Sequence, residues 1–224
     1  MEVPAHFAMP DDQLRSVLEQ LGVADLVTVH ADGLLATPLP LLFDPEPGEH
    51  GALIGHVARN NRQWSTPTTA ESLVIARPTD HYVSPAWLPS KTEHGQVVPT
   101  WDYLTVHVYG DLVAHDDPAW TREAVRRLTE RHEGAGGWTV EDPPGDYVER
   151  MLRAIVGIEL RITRIEAKAK MAQNKTPADV AALATALREH GDERGAAYLT
   201  DVSLPAARRR ADLLTDLRSG TTRR

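Results

Sequence analysis

Residues 34–43 constrain the fold most. Their apolar content reads as a β-strand, yet Pro38 and Pro40 lie inside it. Proline has no backbone N–H and cannot donate to a ladder, so this strand must lie at a sheet edge or carry a bulge. The strand-like residues 26–30 precede it, and Ala31-Asp32-Gly33 between them is a hairpin signal. An edge with freed pairing groups suits a flat ligand laid against the backbone. An ordinary edge strand explains the same residues equally well.

The rest of the chain alternates strands and helices irregularly. Leu14, Val17, Leu18 and Leu21 fall at i, i+3, i+4 and i+7, which predicts a helix over 11–21 closed by Gly22. Strands are expected at 52–57 and 72–77, the latter continued by 81–87 after a turn. Residues 88–100 read as a loop. A long strand follows over 101–114, where Leu104, Val106 and Val108 alternate with Thr105, His107 and Tyr109. Asp117-Pro118 opens a helix that runs to about His132. A second helix covers 144–155, and 156–163 alternates as a half-buried antiparallel strand. Thr176-Pro177 starts another helix, and a last one spans 206–217. There is no regular βαβ alternation and no Gly-rich dinucleotide fingerprint. The expected fold is α+β, an antiparallel barrel with flanking helices.

Composition excludes several classes. No run of 18 apolar residues predicts a membrane span, and Met1-Glu2-Val3-Pro4 does not open a signal peptide. With no cysteine there is no disulfide, zinc–thiolate site or thiol nucleophile, which fits a cytoplasmic protein. Net charge is −8, but residues 205–224 hold six arginines and two aspartates, so the body is more acidic still. A nucleic-acid contact, if made, falls on that basic tail. The ten histidines are scattered without an H-E-x-x-H pair, so no protein metal site is expected. A haem needs only one axial histidine. Ser84 sits in Val83-Ser84-Pro85, which is not a nucleophile elbow.

Three places combine chemistry with position. The stretch from Gly55 to Trp64 follows an apolar strand and then presents His56, Arg59, Asn60, Asn61, Arg62 and Gln63. A strand-to-helix corner with free N–H groups and two arginines suits an anion such as phosphate; a solvated helix start fits it too. Trp64, Trp87, Trp101 and Tyr103 lie near loops and strand ends, where aromatic planes suit a planar ring or a subunit contact, or simply fill the core. Lys168, Lys170, Gln173 and Asn174 form a polar loop whose amides can serve a heterocycle.

Taken together, these segments resemble the PaiB-type FMN-binding negative transcriptional regulators. The matching stretches begin at Val3-Pro4-Ala5-His6-Phe7 and Ala36-Thr37-Pro38-Leu39-Pro40, and include the whole run from Gly55 to Trp64. They continue with Tyr82-Val83-Ser84-Pro85-Ala86-Trp87, Val98-Pro99-Thr100-Trp101-Asp102-Tyr103, His107-Val108-Tyr109-Gly110, Ala154-Ile155-Val156-Gly157 and Lys168-Ala169-Lys170-Met171-Ala172-Gln173-Asn174. The resemblance implies a split-barrel flavin-binding fold over 1–180, a helical extension with the basic tail over 181–224, and a homodimer with FMN at its interface. It places His56, Arg59, Asn60 and Asn61 on the phosphate and Thr37, Pro38 and Leu39 behind the ring. Trp101, Lys170, Gln173 and Asn174 come from the second subunit. Glu2 and Leu88 depart from the family's aromatic positions. Relatives on this barrel include haem-dependent, N–N bond-forming piperazate synthases. The implied alternatives to a flavin-binding regulator are therefore a flavin oxidoreductase and a haem enzyme. The tail from 205 onward lies outside the resemblance, and its arginines favour solvent, so it is expected to be dispensable for folding.

Overall fold

The computed structural model describes residues 1–218. Seven strands are present: β1 (Val23–His30), β2 (Gly33–Pro40), β3 (Leu42–Asp44), β4 (Ala52–Ala58), β5 (Ser72–Val83), β6 (Thr100–His115) and β7 (Ile155–Lys170). The helices are α1 (Asp11–Glu19), α2 (Arg62–Ser65), α3 (Ser90–Glu93), α4 (Pro118–Glu133), α5 (Gly145–Arg153), α6 (Pro177–Glu189), α7 (Glu193–Tyr198) and α8 (Leu204–Arg218). By packing, the chain falls into two compact units. The first comprises Met1, 10–76 and 106–166; the second comprises 2–9, 77–105 and 167–218 among the described residues.

The strand order is β2-β1-β5-β6-β7-β4-β3. β2 is an edge strand, as its prolines require. It pairs with β1 in antiparallel register from Val23↔Pro40 to His30↔Gly33, leaving a two-residue loop at Ala31-Asp32. Gly33 takes φ 126°, which a side chain would resist. The single strand expected over 34–43 is two. At Leu41 the chain leaves β2, and β3 then pairs with β4 at the far end of the order. Two edges joined by one residue must lie close together, so the sheet curls into an antiparallel split barrel with flanking helices.

Gly55 is explained by that curl rather than by a tight turn. It sits in the middle of β4, opposite Ile158 of β7. A Cβ there would lie 2.9 Å from Leu41 Cδ2 and 3.0 Å from the Pro40 carbonyl. Only glycine lets the end of β2 approach so near.

The first unit's core is Leu26, Leu41, Leu53, Val74, Val106, Val108, Val156 and Leu160, all fully buried. Val140, Val148 and Leu152 form a satellite cluster with Val125 and Ile155. In the second unit Val83, Met171, Leu183 and Leu199 are fully buried. Thr176 caps α6 by accepting from the Asp179 N–H, with Pro177 at the first helical position. α7 runs through a π-helical segment, Leu199–Ser203, into α8.

Two strands differ from their sequence expectation. β5 is continuous, but its buried positions shift from Ser72, Val74 and Ala76 to Thr79, His81 and Val83. The phase changes across Arg77-Pro78, where proline's missing donor favours a bulge. β7 runs on to Lys170 and takes in Lys168, Ala169 and Lys170 from the expected loop, with an Ala8↔Lys168 bridge holding its end. The tail is also less solvated than its arginines suggest. Ala207 is fully buried, and Arg210 Nη2 donates to the carbonyls of Asn174 at 2.8 Å and Lys175 at 2.9 Å. Arg223 and Arg224 lie outside the described residues. No helix among the described residues is long and apolar enough to cross a membrane.

Candidate functional site

In the first unit the corner after β4 is built around Gln63. Asn61 caps α2, its side-chain oxygen accepting from the Gln63 N–H at 2.8 Å. The cap turns the Gln63 side chain inward, where it is 2% exposed. Gln63 Nε2 donates to Leu26 O at 3.1 Å, Thr28 Oγ1 at 3.0 Å and Leu35 O at 3.3 Å. Its Oε1 accepts from Thr37 Oγ1, which in turn accepts from Asn61 Nδ2 at 3.0 Å. Thr28 Oγ1 lies 2.7 Å from His30 Nε2, and His30 Nδ1 lies 3.1 Å from the Pro67 carbonyl. One amide thereby ties β1, β2 and the segment after α2 together. Gln63 is not among the residues that the family resemblance places on the cofactor. The signal was an asparagine cap followed two positions later by a long amide.

Beside this hub opens a cavity of about 370 Å³, lined by Gln63, Trp64, Ser65, Thr66, Pro67, Thr68, Leu112 and Ala114. Its rim is rich in hydroxyls, and its size falls among small-molecule sites.

The expected phosphate residues stand nearby in sequence, with their charges already partnered. Arg59 Nη2 donates to Asp116 Oδ1 at 2.7 Å, and its Nε donates to the Arg153 carbonyl at 2.6 Å. The guanidinium lies 5.8 Å from the Trp64 ring centroid, and Trp64 Nε1 donates to Arg59 O at 2.9 Å. The Arg59 hydrogen bond holds the Asp116 carboxyl below its ordinary range. Arg62 pairs with Asp32. Both pairs are exposed, so solvent screens them strongly and either can exchange for a stronger anion. Burial lowers the His56 pKa, leaving a neutral ring whose Nδ1 has no hydrogen-bond partner among the described residues. Asn60 is exposed, Leu39 is buried and Pro38 is exposed on β2.

The other expected residues fall in the second unit. Trp101 is 55% exposed. Lys170 Nζ donates to Thr100 Oγ1 at 2.7 Å and to the Trp101 carbonyl, and lies 3.6 Å from Asp102 Oδ1. Gln173 serves its own turn: Oε1 accepts from the Met171 N–H at 2.7 Å and Nε2 donates to Ala169 O. The turn carries Ala172 at φ 59°, a left-handed residue stabilised by that clasp. The Asn174 carbonyl accepts from Arg210. Asp102 is 2% exposed and its Oδ2 has no partner among the described residues. Burial pushes its carboxyl pKa up, partly offset by Lys170. The predicted set thus divides into Thr37, Pro38, Leu39, His56, Arg59, Asn60 and Asn61 in one unit and Trp101, Lys170, Gln173 and Asn174 in the other.

Residues 1–164 match the family described as "Putative FMN-binding domain". The chain belongs to this FMN-binding family. FMN is accordingly its cofactor, and the PaiB-type resemblance holds: the chain is 27% identical over 184 residues to the Bacillus subtilis protease synthase and sporulation protein PAI 2, covering 80% of this chain and 85% of that one. An uncharacterised Saccharomyces cerevisiae protein is 38% identical over 104 residues, 45% of this chain. The matched segment spans 61% of the yeast protein's length. The flavocytochrome Anf3 of Azotobacter vinelandii aligns at TM-score 0.53 and 13% identity, covering 71% of this chain and 67% of that one. At that identity it speaks to the fold alone. The first unit carries donors of the kind a phosphate and a polar heterocycle take: the hydroxyls that rim the cavity, the amides of Asn61 and Gln63, and the exposed Arg59 and Arg62; of the amides and arginines, Gln63 lines the cavity itself.

Proposed function

We propose that the protein is an FMN-dependent redox protein that works as a homodimer in the cytoplasm. The Gln63 hub beside its cavity carries this reading, because it fixes the two elements that the cofactor would touch. Arg59, Asn60, Asn61 and His56 hold the phosphate. Arg59 exchanges Asp116 for the dianion, and the neutral His56 ring offers a hydrogen bond rather than charge. Thr37, Pro38 and Leu39 back the ring along β2, whose outer edge has no strand partner among the described residues. Trp101, Lys170, Gln173 and Asn174 of the second protomer close over it. Bound FMN supplies electron transfer to and from a small partner molecule. Lys170 keeps the Trp101 backbone in place through its bond to that carbonyl.

The visible spectrum of the purified protein tests the cofactor: flavin absorbs at roughly 450 nm and haem at roughly 400 nm. A haem spectrum would overturn this function in favour of a haem enzyme. Arg59→Ala is expected to weaken FMN about 10- to 100-fold while hardly changing riboflavin, which lacks the phosphate. Equal losses for both ligands would remove Arg59 from the phosphate site.

A second reading, flavin-linked transcriptional control, is favoured by the likeness to PAI 2 and by the exposed Arg208, Arg209 and Arg210 on α8. It predicts salt-dependent DNA binding that is lost when the three arginines become glutamine. The acidic body weighs against it.

A further inference from the structure

The second unit carries another cavity, of about 450 Å³, lined by Arg77, Asp80, Trp101, Tyr103 and Thr105. The phase change in β5 creates it. Without the shift across Arg77-Pro78, Arg77 and Asp80 would project from opposite faces of the strand. With it, both join the outward face of β5, beside the outward residues of β6. The wall is aromatic and braced. Tyr82 meets Trp101 edge-on at 6.0 Å and Trp87 at 6.5 Å. An indole as open as Trp101's, set in a concave wall, marks a place where a flat apolar group can lie.

The charges select the ligand further. Lys168 and Lys170 Nζ each lie 5.8 Å from the Tyr103 ring centroid. Arg77 has no ion pair or hydrogen bond from its guanidinium among the described residues. Arg77 lines the cavity and the two lysines stand behind its aromatic floor, Lys170 with Asp102 beside it at 3.6 Å, so among the described residues the one cation free to meet a ligand in the cavity is Arg77. Asp80, likewise without an ion pair among the described residues, disfavours a second negative charge and can accept a hydrogen bond.

We propose that this cavity binds a small planar aromatic acid whose ring stacks on Tyr103, beside the Trp101 that the proposed dimer also turns toward FMN. Its single anionic group meets Arg77, and a hydroxyl or amino donor on the far side of the ring meets Asp80. The proposal goes beyond the redox reading: it adds a binding site and names the class of ligand that site takes.

The test is calorimetric titration of the full-length, FMN-loaded protein with 4-hydroxybenzoate and with its methyl ester. The acid is expected to bind about 10-fold or more tightly than the ester, the loss of one charge-assisted contact. Arg77→Met should erase that preference and leave the ester's affinity as it was. Tyr103→Leu should weaken both ligands by about 10-fold, with melting curves checking that each variant folds. The acid–ester comparison in the unaltered protein needs no variant at all. Equal affinities, an unchanged preference in Arg77→Met, or no binding at millimolar concentration overturns the proposal. Stoichiometric displacement of the acid by FMN also overturns it, because the cavity then belongs to the flavin. Should the protein not load FMN, the earlier reading fails separately, and the same titration of the cofactor-free chain still decides this one.

Discussion

Replacing Gln63 with leucine removes the hub of the first unit with little change in volume. The amide makes its two shortest donations to Leu26 O at 3.1 Å and Thr28 Oγ1 at 3.0 Å, both in a buried setting. Leucine leaves these acceptors, and the Thr37 hydroxyl, without the amide. A buried polar group left without its partner costs about 1–3 kcal/mol. Two such groups, with some relaxation, give about 2–4 kcal/mol. For a chain of this size each kcal/mol moves the melting point by roughly 2–4 °C. The variant should therefore melt about 5–15 °C lower in a cofactor-free thermal unfolding experiment. Gln63→Glu keeps the shape and the acceptor for Thr37 but loses the donors and buries a charge, so it should be at least as damaging. FMN affinity should fall in Gln63→Leu, because Thr37 loses its anchor. A Gln63→Leu protein that melts within about 2 °C of the parent would show that the network contributes no net stability.

Other outcomes follow from the same geometry. Gly55→Ala should destabilise by about 1–3 kcal/mol in urea unfolding, since its methyl meets Leu41 and the Pro40 carbonyl at 2.9 and 3.0 Å; an unchanged midpoint would mean that the barrel edge moves aside freely. The Asp102 carboxyl is raised by burial, so whatever stability it gives is present below its unfolded pKa and lost as pH rises through the folded one. Asp102→Asn should therefore melt higher than the parent near neutral pH, with the gain shrinking toward acid. Parallel melting–pH curves for the two proteins would contradict this. Deleting residues 212–224 should leave the melting point within a few degrees, because Leu213, Leu214 and Leu217 are exposed. Deleting from Leu204 onward should cost more, because it removes the buried Ala207 and the Arg210 clasp on Asn174 and Lys175.

What the sequence determined by itself was local. Pro38 and Pro40 placed β2 at an edge, because a missing N–H is a property of the residue and not of its surroundings. Ala31-Asp32-Gly33 set the hairpin, and Asp117-Pro118 and Thr176-Pro177 set two helix starts, for the same kind of reason. The corner at His56, Arg59, Asn60 and Asn61 was visible as a cluster of polar side chains after an apolar strand. Its internal wiring was not. Nothing in the run of letters says that Arg59 faces Asp116, fifty-seven residues later, or that Gln63 turns inward to bind Leu26 and Thr28. Such contacts depend on which strands become neighbours. The break at Leu41 shows the same limit. Apart from Pro38 and Pro40, residues 34–43 read as one strand, and only closure of the barrel divides them between two opposite edges of the sheet. Likewise Lys168 and Lys170 read as loop by composition and became strand through pairing across the sheet. Charged residues accept an extended backbone once a neighbouring strand satisfies its hydrogen bonds. Backbone chemistry is written in single residues; the meeting of side chains is decided by the tertiary fold.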